Sequence, residues 1–320
     1  MSLENPKITV VGAGAIGGLF GALLADGGLD VTLVDTWPEH IAAIAANGIR
    51  VVGEGGDRSI PIRATTLASD VKDADVVIFQ CKSFSNTTAA ESALHLFTSN
   101  PETVAVTFQN GLGNEETLGK IVGPDRLVSG LTAQAGLVEA AGVVRNFGEL
   151  PTTVGEPAGG QSERAMTIAK TFTRCGLPTT ATPNIKKEKW RKLLGNVGLG
   201  AISALTDMRS YEIMALPELK ETVLRLVDEA TLVAEAEGVT LDTNEARSVL
   251  MQISATKSGG TGASKSSMRE DIIQRRRTEI DTIHGAVARL ARRHNIPTPT
   301  LDALVALVKG LEHQTLSKGE

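Results

Sequence analysis

Four polar side chains in the second half of the chain stand at spacings that can carry proton chemistry: Lys192, Asn196, Ser267 and Glu279. In EKWRKLLGNVGLG, Lys192 and Asn196 are four residues apart. On a helix both then point the same way, beside an apolar face of Trp190, Leu193, Leu194 and Val197. An ammonium can donate a proton there, and an amide can orient a ligand. The same pattern also describes a solvated polar stripe, and Lys189 lies close enough to this flank that spacing does not choose between the two lysines. Glu279 flanks a second apolar series, Ile280, Ile283, Val287 and Leu290, whereas Asp281 points away. A carboxylate beside buried surface is costly unless paired, and Arg275 or Arg276, one turn earlier, is a candidate partner. Ser267 follows the flexible stretch SGGTGAS and precedes Glu270 by three, the S-x-x-E pattern of a capping box. Its hydroxyl can start a helix or meet a ligand.

The elements that must position these groups begin at the other end of the chain. KITVVGAGAIGGLFGALLADGGLDVTLVD opens with a β-branched run suited to a strand buried on both faces. Gly12, Ala13, Gly14, Ala15, Ile16 and Gly17 then form G-x-G-x-x-G, followed by a small-residue helix and a second strand ending in Asp35. Gly12 permits the tight turn, Gly14 lets backbone approach a diphosphate, and Gly17 lets helix and strand pack closely. The helix N-terminus brings unpaired N–H groups and a positive dipole end to the phosphates. Asp35, eighteen residues past Gly17, can accept hydrogen bonds from both adenosine ribose hydroxyls. Ile8–Ala25 carries no charge, but a signal peptide would have a basic segment ahead of it and a cleavage site after it. This stretch has Glu4 ahead, five internal glycines and another strand behind.

Further on, Pro38–Asn47 reads as a helix stopped by Gly48, and residues 49–67 as a hairpin excursion. DVVIFQ and TVAVTF are further buried strands; Lys82 and Asn110 follow at their C-terminal edges, where an open parallel sheet forms its ligand crevice. Residues 128–158 read as closing antiparallel strands, Ser162–Arg174 as a helix and Pro178–Thr182 as a last strand. From residue 184 onward the pattern is helical. The fold class is α/β, with a dinucleotide-binding parallel-sheet domain over 1–183 and an all-helical domain over 184–320.

With 320 residues, 42% apolar and 22% charged, the composition is that of a soluble globular enzyme. A net charge of −5 without a basic, aromatic-studded stripe argues against nucleic acid as a partner, and no further apolar run has membrane-spanning length. Cys81 and Cys175 fit no metal or CxxC spacing, and five histidines form no HxxxH, which points to a reduced cytoplasmic setting and no metal.

VGAGAIGG, QNGLGNEE at Gln109–Glu116, KWRKLLGN at Lys189–Asn196 and SSMRED through RRRTEIDTIHG resemble, in order and over nearly the whole chain, the ketopantoate reductase family. The resemblance implies a Rossmann-type domain followed by an all-helical domain, with the active site in the cleft between them. The implied reaction is reduction of ketopantoate, a 2-oxoacid, to D-pantoate by NAD(P)H, on the route to pantothenate and coenzyme A. It assigns the catalytic lysine to Lys192 and the carboxylate meeting cofactor and substrate to Glu279. Asn196 and Ser267 become substrate-binding, Lys82 lies on the cofactor side, and Asn110 holds the nicotinamide end beside the substrate. A homodimer is compatible with this reading.

This chain departs from the pattern at Gly200, where the family repeats an asparagine, and has no counterpart among Asp207–Ser210 to a further substrate asparagine. Two other readings follow: a related 2-oxoacid reductase for a branched or aromatic substrate, and a nucleotide-binding sensor without turnover. Retention of both Lys192 and Glu279 argues against the sensor. The second strand ends in Asp35 where most of the family, using NADPH, carries a basic residue. A carboxylate there repels a 2′-phosphate, so NAD(H) is expected over NADP(H), unless Arg50, Arg58 or Arg63 folds over that phosphate.

Overall fold

The computed structural model describes residues 3–255, 257 and 260–317. Its strands are β1 (Ile8–Val11), β2 (Val31–Val34), β3 (Ile49–Gly53), β4 (Arg58–Ile60), β5 (Arg63–Thr65), β6 (Val76–Phe79), β7 (Val104–Thr107), β8 (Leu127–Thr132), β9 (Gly136–Ala140), β10 (Val143–Asn146), β11 (Thr152–Gly155) and β12 (Thr179–Ala181). The first five helices, interleaved with them, are α1 (Ala15–Asp26), α2 (Pro38–Asn47), α3 (Asn86–Ser99), α4 (Asn114–Val122) and α5 (Glu163–Arg174). There follow α6 (Ile185–Thr206), α7 (Ser210–Ala215), α8 (Pro217–Ala236), α9 (Thr243–Ala255), α10 (Gly260–Ala263), α11 (Ser267–Ile273), α12 (His284–Arg293) and α13 (Pro299–Ser317). The chain divides into two compact units, Met1–Gln109 with Asn114–Ile185, and Asn110–Gly113 with Lys186–Glu320.

In the first unit an eight-stranded sheet runs β12-β11-β8-β7-β6-β1-β2-β5. All pairs from β8 to β5 are parallel, and β11 joins antiparallel to β8. Alternation along each strand sends Val10, Leu33, Ile78 and Val106 to a core with Leu19, Phe20 and Phe172. Val11, Val34, Val77 and Ala105 go to the opposite core, with Ala90, Leu96 and Phe97. Helices cover both faces, which is why these strands are apolar without interruption. Burying each of the valine, leucine, isoleucine and phenylalanine side chains among them contributes about 1.5–3 kcal/mol.

The excursion after α2 is more than a hairpin. β3 pairs antiparallel with β4 but parallel with β10, and β10 pairs with β9, giving a second sheet in the order β4-β3-β10-β9. The expectation that residues 128–158 close the domain as antiparallel strands is therefore only partly met. β8 extends the parallel sheet, while β9 and β10 leave it.

The second unit packs Trp190, Leu193, Leu194 and Val197 of α6 against Val223, Leu226 and Val227 of α8, with Ile280, Ile283 and Val287 in the same core. The apolar series beside Glu279 is not one continuous helix. Arg275 has φ 52°, residues 280–283 form turns, and α12 begins only at His284. Within SGGTGAS, Ser258 and Gly259 lie outside the described residues, and Gly260–Ala263 form α10. No described helix is long and apolar enough to cross a membrane.

Candidate active site

The glycine loop joins β1 to α1. Gly12 has φ 101°, and a Cβ there would lie 2.3 Å from the Cys81 nitrogen; a Cβ on Gly17 would lie 1.9 Å from the Gly12 oxygen. The turn thus needs hydrogen at both positions. Around Gly14 the ground is open, and a Cβ added there would meet no atom within 4 Å. Gly14 is the N-cap of α1 and no side chain caps that terminus, so Ala15, Ile16 and Gly17 begin a helix whose first N–H groups suit an anion. These residues fit a dinucleotide diphosphate.

Asp35 does more at this loop than end a strand. Its Oδ2 accepts from Ala13 N–H at 2.7 Å and its Oδ1 from Trp37 N–H at 3.0 Å. Lys82 lies half-buried just past β6. Beside it the Gln109 amide donates to Cys81 O and to Asn86 Oδ1, each at 2.6 Å, which ties the C-terminal ends of β6 and β7 together. The three arginines considered for a 2′-phosphate are engaged elsewhere: Arg50 with Asp57, Arg58 with Asp26, Arg63 with Asp30.

In the second unit, Lys192 Nζ donates to Asn110 Oδ1 at 2.8 Å. Asn110 is brought there by its neighbours. Leu112 N–H donates to Thr282 O at 2.9 Å. Gly111, at φ 85°, passes so close that a Cβ would lie 2.3 Å from that same oxygen. Glu279 heads this turn: its carbonyl accepts from Thr282 and Ile283 N–H, and its side chain is buried. Burial and then the like charge of Lys189 lower the Lys192 ammonium from 10.5 to about 8, while the Glu279 carboxylate pulls it upward. Lys189 therefore acts on Lys192 through charge, and it is Lys192 that bonds Asn110. Of the two arginines considered as partners for Glu279, Arg276 pairs with Asp271. Asn196 follows one turn along α6 and is half-buried.

Ser267 is exposed, at the first position of α11. The residue that caps this helix is Ser266, whose Oγ accepts from Arg269 N–H at 3.1 Å and donates to Gly200 O at 2.9 Å. The capping-box assignment to Ser267 with Glu270 is thus corrected by one residue, which leaves the Ser267 hydroxyl outside the cap. Asp207 accepts from both Lys265 and Arg269, and their hydrogen bonds draw its carboxyl down to about 2. Residues 207–210, where no substrate asparagine is found, instead anchor the segment ahead of α11; Ser210 N–H donates to Ser264 O at 3.2 Å.

Two histidines matter that the spacing arguments left aside. His284, fully buried, donates from Nε2 to Val197 O at 2.9 Å, and its Nδ1 has no hydrogen-bond partner among the described residues. Burial pushes its pKa down to about 4. Its Cε1 lies 3.7 Å from a Cβ built on Gly200. His40 is buried against the glycine loop. The only sequence signals were a histidine after an N-terminal helical turn and one inside T-E-I-D-x-I-x-G.

A glycine-loop α/β unit and a helical unit bearing a depressed lysine beside a carboxylate define an NAD(P)-dependent oxidoreductase of 2-oxoacids. The model of "Ketopantoate reductase PanE/ApbA" matches residues 8–159 and that of its C-terminal region residues 184–312, so this chain belongs to the ketopantoate reductase family. A 2-dehydropantoate 2-reductase of Halobacterium salinarum is 34% identical over 304 residues, covering 95% of this chain and 98% of that one. D-mandelate dehydrogenase, solved with NADH and anilino(oxo)acetate, is similar with a TM-score of 0.91 at 26% identity, covering 96% of this chain and 98% of that one. A PanE/ApbA family ketopantoate reductase from Ralstonia eutropha JMP134 gives a TM-score of 0.88 at 26% identity, with 96% and 99% covered.

Proposed function

We infer that this protein reduces ketopantoate to D-pantoate with a nicotinamide cofactor, serving pantothenate and coenzyme A synthesis in the cytoplasm. The observation that carries the reading is Lys192, bonded to Asn110 and titrating near 8 beside buried Glu279. Gly12–Gly17 would hold the cofactor diphosphate, Asp35 the adenosine ribose, and Lys82 a further cofactor group. Bound reduced nicotinamide supplies hydride to the C2 carbonyl carbon of the oxoacid. As negative charge grows on the carbonyl oxygen, protonated Lys192 stabilises it and gives it a proton. Asn110 holds the ammonium in place, and Glu279 keeps it charged at neutral pH. Asn196 and Ser267 orient the substrate's carboxylate or hydroxyl by hydrogen bonds.

NADH is the preferred cofactor in this reading. The carboxylate of Asp35 would repel a 2′-phosphate on the ribose it is read to bind, and Arg50, Arg58 and Arg63 are each paired with an aspartate. At an effective dielectric near 20, two unit charges about 4 Å apart cost roughly 4 kcal/mol, which solvent reduces to about 1–2. A homodimer completes the proposal; the ketopantoate reductase of Staphylococcus aureus is described as dimeric.

A second reading draws on Gly200. With no polar side chain there, a related oxoacid with a branched or aromatic side chain loses nothing against ketopantoate. A panel of 2-oxoacids, assayed with NADH and with NADPH by loss of nicotinamide absorbance, separates the two. Highest kcat/KM for ketopantoate supports the first reading and highest for phenylglyoxylate the second. No turnover of any acid, with cofactor still bound, would leave a nucleotide sensor.

A further inference from the structure

Both ring nitrogens of His40 are committed to backbone. The side chain is 1% exposed on α2. Nε2 donates to Ala13 O at 3.1 Å, and Nδ1 accepts from Gly142 N–H at 3.0 Å. The second bond determines the tautomer, because a backbone N–H can only donate. Nδ1 therefore carries no hydrogen, the ring is neutral, and the hydrogen sits on Nε2. Gly142 lies in the turn between β9 and β10, so this imidazole connects the four-stranded sheet to the glycine loop. Trp37 stacks on it, with ring centroids 5.0 Å apart and planes 10° from parallel.

Ala13 is consequently held at both ends, its N–H by Asp35 and its C=O by His40. The Ala13 carbonyl and the Gly14 N–H belong to one planar trans peptide and point in opposite directions. Holding the oxygen on His40 turns the Gly14 N–H away from the ring, and Gly14 itself stands on open ground, where an added Cβ would meet nothing within 4 Å. We propose that His40 is a positioning residue for the cofactor diphosphate, orienting the peptide between Ala13 and Gly14 so that its N–H faces the phosphate. This rests on the reading of the loop as a nicotinamide-dinucleotide site. It also gives the second sheet a task, since Gly142 fixes the imidazole that orients the loop.

Two substitutions separate the two bonds. His40→Gln places an amide nitrogen where Nε2 was and keeps the donor to Ala13. His40→Asn keeps only an acceptor for Gly142. Calorimetric titration of the full chain with NADH should give the Gln variant a Kd within about twofold of wild type. The Asn variant should bind about three- to tenfold more weakly, as loss of one orienting hydrogen bond requires, with kcat at saturating NADH unchanged. Equal affinity in all three proteins overturns the proposal, as does equal weakening in both variants, which would mean that His40 serves packing alone. If the Asn variant does not fold, His40→Phe, which keeps volume and drops both bonds, takes its place. If no variant folds, His40 supplies stability and the proposal fails. Wild type that binds neither NADH nor NADPH overturns the reading of the loop itself.

Discussion

Lys192 donates to the side-chain oxygen of Asn110 at 2.8 Å, although 82 residues separate them in the chain. Asn110 follows a strand of the parallel sheet, yet residues 110–113 pack with the helical unit, seated on the turn headed by Glu279. Lys192, the Asn110 side chain that holds it and the Glu279 carboxylate that pulls its pKa upward are thus one cluster. This arrangement makes the lysine's titration a reporter on its neighbours.

The reduction rate at saturating substrates should fall as pH rises through about 8, because the acid proposed for the reaction is the Lys192 ammonium. Lys189→Met removes a like charge, raises the Lys192 pKa and moves that limb to higher pH. Glu279→Gln removes the opposite charge and moves it to lower pH. The pH dependence of kcat for the three proteins checks the signs; a limb that stays put in both variants would detach it from Lys192.

Natural cofactor preference should favour NADH over NADPH by about five- to thirtyfold in kcat/KM, from the ~1–2 kcal/mol of charge repulsion at Asp35. Asp35→Arg alone should not transfer that preference in full. It strands the buried Ala13 N–H, at a cost of about 1–3 kcal/mol, so NADH use falls by more than NADPH use rises. Asp35→Asn, which keeps an acceptor for Ala13 and drops the charge, should narrow the gap with less loss. Steady-state assays with both cofactors decide this, and an Arg variant as fast with NADPH as the parent is with NADH would contradict it.

Gly200→Ser should raise the melting temperature above that of Gly200→Ala. Both replace a helical glycine, worth about 0.5–1 kcal/mol, but the serine hydroxyl can also donate to the orphaned Nδ1 of His284 beside it. Alanine is the better helix former, so a serine variant that melts at or below the alanine variant would show that the hydroxyl does not reach the ring.

What could be read from sequence was what depends on near neighbours. Gly12 to Asp35 announced strand, turn, helix and strand through glycine spacing and unbroken apolar runs, and Pro38–Asn47 was legible because Pro starts and Gly48, at φ 75°, stops that helix. Lys192 and Asn196 fell on one stripe by helical period alone. The four-stranded sheet was hidden because β3 finds its partner in β10, far along the chain. His40 was hidden for the same reason: its role is defined by Gly142, 102 residues away. Ser266 was displaced by one residue because SSM offers two serines to one cap. The turn at Glu279 was obscured because Ile280, Ile283 and Val287 keep helical spacing across a break.

The most direct test is kcat of Lys192→Ala for NADH-dependent reduction of ketopantoate, or of whichever 2-oxoacid the panel selects, set beside the NADH affinity of the same variant. General acid catalysis contributes about 10²–10⁴ in rate, so kcat should fall by at least about a hundredfold while NADH binds as before. A variant that keeps more than about a tenth of the parent rate would make Lys192 a scaffold residue and the proton-donor account wrong.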